Sequence, residues 1–134
     1  MRKKTGFTLI ELLTVLIVIG ILVTLAIPNY MRSQERAKCA QALSTVKSIR
    51  NAAISYYRTN QDFAGMTMAA LRTEAEAGFA DTADWQFAVQ LVGSDGFEVR
   101  ANRLRGHWSN SSIVLDQNDD FSASTYPYQS PGQF

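Results

Sequence analysis

Hydrophobic side chains follow three successive patterns along this chain. Residues 7–27 are an almost unbroken apolar run whose only charge is Glu11. Over residues 32–58 the apolar positions thin to one helical face. Ala42, Val46, Ile49, Ala53 and Tyr56 or Tyr57 recur there at steps of three or four, while Arg32, Glu35, Arg36, Lys38, Lys47, Arg50 and Arg58 fill the rest. A single helix over roughly residues 7–58 fits both patterns, ending where the periodicity fails at Thr59-Asn60. Residues 67–78 read as a short helix, with Thr67 placed to cap its start and Gly78 its end. The period then changes to two. Trp85, Phe87, Val89 and Leu91 alternate with Gln86, Ala88 and Gln90, and a turn follows at Gly93-Ser94-Asp95-Gly96. Phe97, Val99 and Ala101 then alternate with Glu98, Arg100 and Asn102, which predicts an antiparallel hairpin. Ser112-Ile113-Val114-Leu115-Asp116 predicts a third, more uniformly apolar strand, and Tyr126-Pro127-Tyr128 with Pro131-Gly132 an extended tail.

A few short strands with one greasy face need a cover, and the amphipathic half of the long helix supplies it. The expected fold is α+β: a long N-terminal helix, membrane-spanning in its first half, whose second half packs on a small antiparallel sheet. Residues 7–28 form the membrane-spanning segment, 29–59 the amphipathic half, and 60–134 a connecting loop plus sheet head. About 75 residues outside the helix make only a modest core, so helix–sheet packing must carry much of its stability.

Length sharpens the reading of the apolar run. About 21 residues at 1.5 Å each give a helix of roughly 31 Å, the thickness of a bilayer's hydrocarbon core. Arg2, Lys3 and Lys4 precede it and assign that end to the cytoplasm. A secretory signal peptide fits poorly. The run is too long, it carries a charge, and Ile27-Pro28-Asn29-Tyr30 stands where a small-residue cleavage site belongs. A carboxylate inside such a run costs about 2.5–3.5 kcal/mol even on lenient scales. Glu11 therefore belongs to a segment meant to leave the lipid or to meet a partner in it.

Gly6-Phe7-Thr8-Leu9-Ile10-Glu11-Leu12, after a basic leader and before a long apolar helix with Pro28 near its end, resembles the prepilin signature of type IV pilins and type II secretion pseudopilins. The resemblance is strong over residues 1–60 and general beyond them. It implies that a membrane aspartyl peptidase removes residues 1–6 by cutting between Gly6 and Phe7, and methylates the new amine of Phe7. Losing the three leader cations takes the formal charge from +1 to −2, too near neutrality for nonspecific nucleic-acid binding. The resemblance further implies that Glu11, fifth in the mature chain, pairs with the Phe7 amine of a neighbouring subunit. A buried pair of this kind fixes register better than it adds stability. Proline removes an amide donor and strains the preceding turn, so Pro28 predicts a kink or local melting. By the same resemblance, residues 20–28, from Gly20 to Pro28, unwind in an assembled filament.

The remaining motifs point less sharply. Cys39 is the sole cysteine, so no intrachain disulfide forms, a departure from many type IV pilins. It reads as a small buried hydrophobe, with an intersubunit crosslink as the other reading. Asp116, Asn118, Asp119 and Asp120 are calcium-type oxygen donors without EF-hand spacing. Some secretion pseudopilins bind calcium in a C-terminal loop, but a polar turn is the default reading, and no cofactor is expected. Asn110-Ser111-Ser112 matches a short glycosylation sequon. Arg100, Arg103, Arg105, His107 and Trp108 form a basic–aromatic run that suits a phosphate backbone or a surface, unless they are simply a solvated strand end. No nucleophile, base and oxyanion donors assemble in the pattern, so an enzyme is not expected.

The expected function is structural. The chain is read as a type IV pilus subunit that polymerises with itself and other pilins through its N-terminal helix. Its partners are the prepilin peptidase and methyltransferase, an inner-membrane assembly platform, and the membrane itself before assembly. Ala26-Ile27-Pro28-Asn29-Tyr30 resembles the pilus-type membrane exit, and Asp62-Phe63-Ala64 stands where major pseudopilins carry a tyrosine–proline segment. The alternatives are a secretion pseudopilin in a periplasmic pseudopilus, or a minor pilin with a ligand- or DNA-binding head.

Overall fold

The computed structural model describes residues 6–74, 79–93, 95–121 and 124–127. Five elements follow one another: α1 (Leu9–Asn60), α2 (Met68–Glu74), β1 (Trp85–Val92), β2 (Gly96–Arg103) and β3 (Ser112–Asp116). The chain divides into two units, residues 1–37 and 38–134.

In the first unit α1 carries the apolar run, and its side chains lie in the open: Ile10, Leu16 and Leu25 are 71%, 62% and 66% exposed. A surface of that kind has no cover within one chain and is made for lipid or another copy. The helix is continuous through Pro28 in the single chain. One missing amide removes one hydrogen bond, and the flanking turns hold. Around it, Thr24 Oγ1 donates to the Gly20 carbonyl at 2.8 Å and Asn29 Nδ2 reaches the Leu25 carbonyl at 3.5 Å.

In the second unit the later turns of α1 bury Cys39, Ala42, Val46, Ile49, Ala52 and Ala53, the predicted face extended by Cys39 and Ala52. They share one core with Phe87, Phe97, Val99, Ala101, Ile113 and Leu115 of the sheet. The helix ends on Gln61, whose left-handed backbone (φ 57°) lets its N–H donate to the Tyr57 carbonyl at 2.7 Å. Thr67 caps α2 as expected, its Oγ1 accepting from Ala70 N at 3.2 Å. The cap expected at Gly78, the turn residue Ser94 and the tail from Tyr128 onward lie outside the described residues.

The sheet runs β1-β2-β3, antiparallel throughout. Val92 faces Gly96 at the hairpin end and Trp85 faces Arg103 at the other, while Asn102 faces Ser112 across to β3. The predicted alternation holds fully on β2. On β1 it fades, with Trp85 and Phe87 buried and Leu91 exposed. Both outer edges are partly sealed by side chains, which blunts their tendency to pair with other strands. On β3, Ser124 Oγ accepts from Val114 N at 2.8 Å and donates to its carbonyl at 3.1 Å. On β1, Asp81 Oδ1 accepts from Phe87 N at 2.9 Å.

Candidate functional site

The N-terminal motif begins outside the helix. Gly6, Phe7 and Thr8 are non-helical and exposed, so the Gly6–Phe7 peptide bond lies outside the helix. Thr8 then caps α1. Its N–H and its hydroxyl both donate to Glu11 Oε2, each at 2.8 Å, and its Oγ1 accepts from Glu11 N at 3.3 Å. This is a reciprocal capping box, in which two otherwise orphaned donors at the helix start are satisfied by one Thr–Glu pair. The Thr8-x-x-Glu11 spacing announces it in the sequence, and a reading that treats Glu11 only as a misplaced membrane charge misses it.

The box bears directly on chemistry. It occupies one carboxylate oxygen, while Oε1 takes no hydrogen bond among the described residues. Cleavage after Gly6 would leave the Thr8 amide intact, because that amide belongs to the Phe7–Thr8 bond. The cap therefore survives processing, with one Glu11 oxygen oriented and the other open to a cation.

Gly20, the second candidate feature, has nothing within 4 Å of the position a Cβ would take. Close packing inside the chain does not require a glycine there. Its effects are confined to helix propensity and to contacts with other molecules.

Burial removes Arg103 from the basic–aromatic run of the head, while Arg105 and His107 stay exposed. Arg103 is 3% exposed. Its Nη1 lies 3.2 Å from Asp84 Oδ1, and its guanidinium sits 5.1 Å from the centroid of the Trp85 ring. Asp84 also meets Lys38 of α1 at 3.2 Å, so the arginine is a structural tie between helix, β1 and β2. Arg100 projects on the opposite face of β2 and pairs with Glu98 at 3.9 Å. His107 stacks edge-on against Trp108, ring centroids 4.9 Å apart. Burial of Arg103 thus splits the run. Strand parity predicts which face it occupies, but its partner Asp84, far away in sequence, carries no local signal.

Asp116 organises the turn after β3: its Oδ1 accepts from the backbone N–H groups of Asn118 and Asp120, both at 2.8 Å. Among the described residues no group of three or more His, Cys, Asp or Glu side chains is placed to hold a metal ion. Cys39 is buried at 1% exposure.

Residues 1–27 match the family model of the prokaryotic N-terminal methylation motif. The chain is 36% identical to the type II secretion system core protein G of Aeromonas hydrophila over 62 residues, which cover 46% of this chain and 43% of the relative. It is 42% identical to the type IV major pilin protein PilA of Myxococcus xanthus over 55 residues, 41% of this chain and 25% of that protein. A fimbrial protein of Pseudomonas aeruginosa is 44% identical over 55 residues, 41% of this chain and 36% of that protein. The chain thus spans less than half the length of these relatives. No solved structure matches it. The expected resemblance holds: the chain carries a prokaryotic N-terminal methylation motif and is homologous to pilins and to type II secretion proteins.

Proposed function

We propose that this chain is the structural subunit of a type IV pilus, released from its leader by cleavage after Gly6, methylated on Phe7 and polymerised through α1. One observation carries the reading. The apolar part of α1 is long enough to cross a bilayer and is wholly uncovered within the chain, and it starts at a methylation motif. Before assembly the bilayer covers that surface, with the leader in the cytoplasm and the head across the inner membrane. After assembly the same surface is covered by other copies. Head-to-tail contact of this kind does not close on itself and so builds a helical filament.

Glu11 supplies the register. Its open oxygen accepts the methylated amine of Phe7 from the adjoining subunit, which compensates two charges that neither lipid nor a packed core tolerates alone. A subunit out of register leaves both uncompensated. Gly20 and Pro28 lower the local helical stability, so residues 20–28 yield first when the packed filament strains the helix. The chain's contribution is architectural and no catalytic step is assigned to it.

A periplasmic pseudopilus is the second reading, favoured by the longer alignment to core protein G. Two measurements separate the outcomes. Mass spectrometry of the mature protein should find N-methyl-Phe7, and an intact leader would refute the processing step. Electron microscopy of the native cell should show long surface fibres built mainly of this chain. Fibres absent from the surface but restored by overexpression would select the pseudopilus instead.

A further inference from the structure

The loop of residues 116–120 carries three carboxylates in five residues, the composition that suggested calcium, yet the Gln117 carbonyl and the Asp116 and Asp119 carboxylates already meet donors or cations of the protein. We propose that two cations on α1, Arg50 and Lys47, order this loop in the role a calcium ion would otherwise fill, so that the head folds without metal. Arg50 reaches the Gln117 carbonyl with two donors, Nε at 3.0 Å and Nη2 at 2.6 Å. Lys47, one helical turn earlier on the same face, lies 3.7 Å from Asp119 Oδ2. Asp116 spends Oδ1 on the two backbone amides of Asn118 and Asp120 and offers Oδ2 to Asn118 Nδ2 at 3.4 Å.

Calcium takes six to eight oxygens at roughly 2.3–2.6 Å. The Gln117 carbonyl and two of the three carboxylates, Asp116 and Asp119, are each turned toward a protein donor. A divalent ion entering here would also have to displace a guanidinium and an ammonium. The residues do not fit calcium; they fit an internal cationic latch. The latch reaches beyond the loop. A Cβ on Gly96 would lie 3.7 Å from Gln117 Oε1, so the residue clamped by Arg50 also rests against the β1–β2 hairpin. Helix, loop and hairpin meet at one arginine. The inference is independent of how the chain assembles.

The test uses the full-length protein in detergent micelles. Trp85 and Trp108, the only tryptophans, both lie in the head and report its unfolding by fluorescence. The thermal midpoint should be the same in millimolar calcium chloride as in a chelator. Arg50→Gln should lower it by several degrees and speed amide hydrogen exchange at Asn118 and Asp120 about ten-fold or more. Lys47→Gln, an exposed pair, should do less. If Arg50→Gln does not fold, Arg50→Lys keeps the charge, loses the fork and carries the same exchange test. A calcium-dependent rise in the midpoint of the unsubstituted protein would overturn the proposal, and so would loop exchange unchanged by loss of Arg50. In the first case the ion would occupy the acidic groove of about 470 Å³ beside the loop, lined by Asp95, Glu98 and Asp116.

Discussion

Glu11 divides its two oxygens between two tasks. Oε2 closes the first turn of α1 through Thr8, and Oε1, which takes no hydrogen bond among the described residues, is the oxygen proposed to meet the charge of another subunit. The two tasks come apart under substitution. Glu11→Val removes both and should leave the protein membrane-inserted but unable to extend filaments, checked by shearing and quantifying assembled protein against the membrane pool. Thr8→Val removes only the cap, so filament yield should fall less and methylation of Phe7 should persist. Equal loss in both variants would mean that capping, not intersubunit pairing, is what Glu11 contributes. Arg103 is the corresponding residue of the head. Arg103→Met keeps the packing on Trp85 but strips Asp84 of one of its two cations. Because Asp84 is partly exposed, the expected loss is about 1–3 kcal/mol rather than the larger cost of a fully buried charge. A thermal melt followed by tryptophan fluorescence reads it directly.

The long helix and the sheet depend on different things, and their legibility in the sequence differs accordingly. Periodicity announces the second half of α1 and β2 because each buries one defined face, so the positions of Ala42, Val46, Ile49, Phe97 and Val99 follow from spacing, whereas β3 buries Ile113, Val114 and Leu115 in succession and is announced by its apolar run. The fading of β1 toward Leu91 does not follow, since Val89 and Leu91 alternate as well as Trp85 and Phe87 do. What differs is how far the cover extends, a tertiary fact. Pro28 is a separate case. Its local chemistry argues for a break, but the surrounding Leu, Ile and Ala turns hold the helix in a single chain. The methylation motif itself is legible over residues 1–27, while the cap at Thr8 needs its glutamate to be read twice. Two predictions follow from the packing. Ile49→Ala, at a fully buried position, should cost the head about 2–5 kcal/mol. Gly20→Ala should raise helix stability by about 0.8–1 kcal/mol and make filaments less extensible under load, measured by stretching single fibres. Unchanged extension would separate Gly20 from the yielding segment.

At the scale of the whole molecule, the chain carries both an uncovered apolar helix and a head with a closed core. The helix cannot remain uncovered in water, so it passes from one apolar environment to another, from lipid to filament. The head needs no such exchange: its core is closed by α1, its edges are blunted by Asp81 and Ser124, and its acidic loop is latched by Arg50. In the proposed assembly the first turns of α1 carry the contact, and the pairing of Phe7 with Glu11 sets how copies align. Helical reconstruction of native filaments by electron cryo-microscopy tests this most directly. The account predicts the methylated Phe7 nitrogen within about 4 Å of Glu11 on an adjoining subunit, the distance at which opposite charges stabilise each other. Filaments in which every Glu11 stays closed on its own Thr8, with the Phe7 amines paired elsewhere, would contradict it.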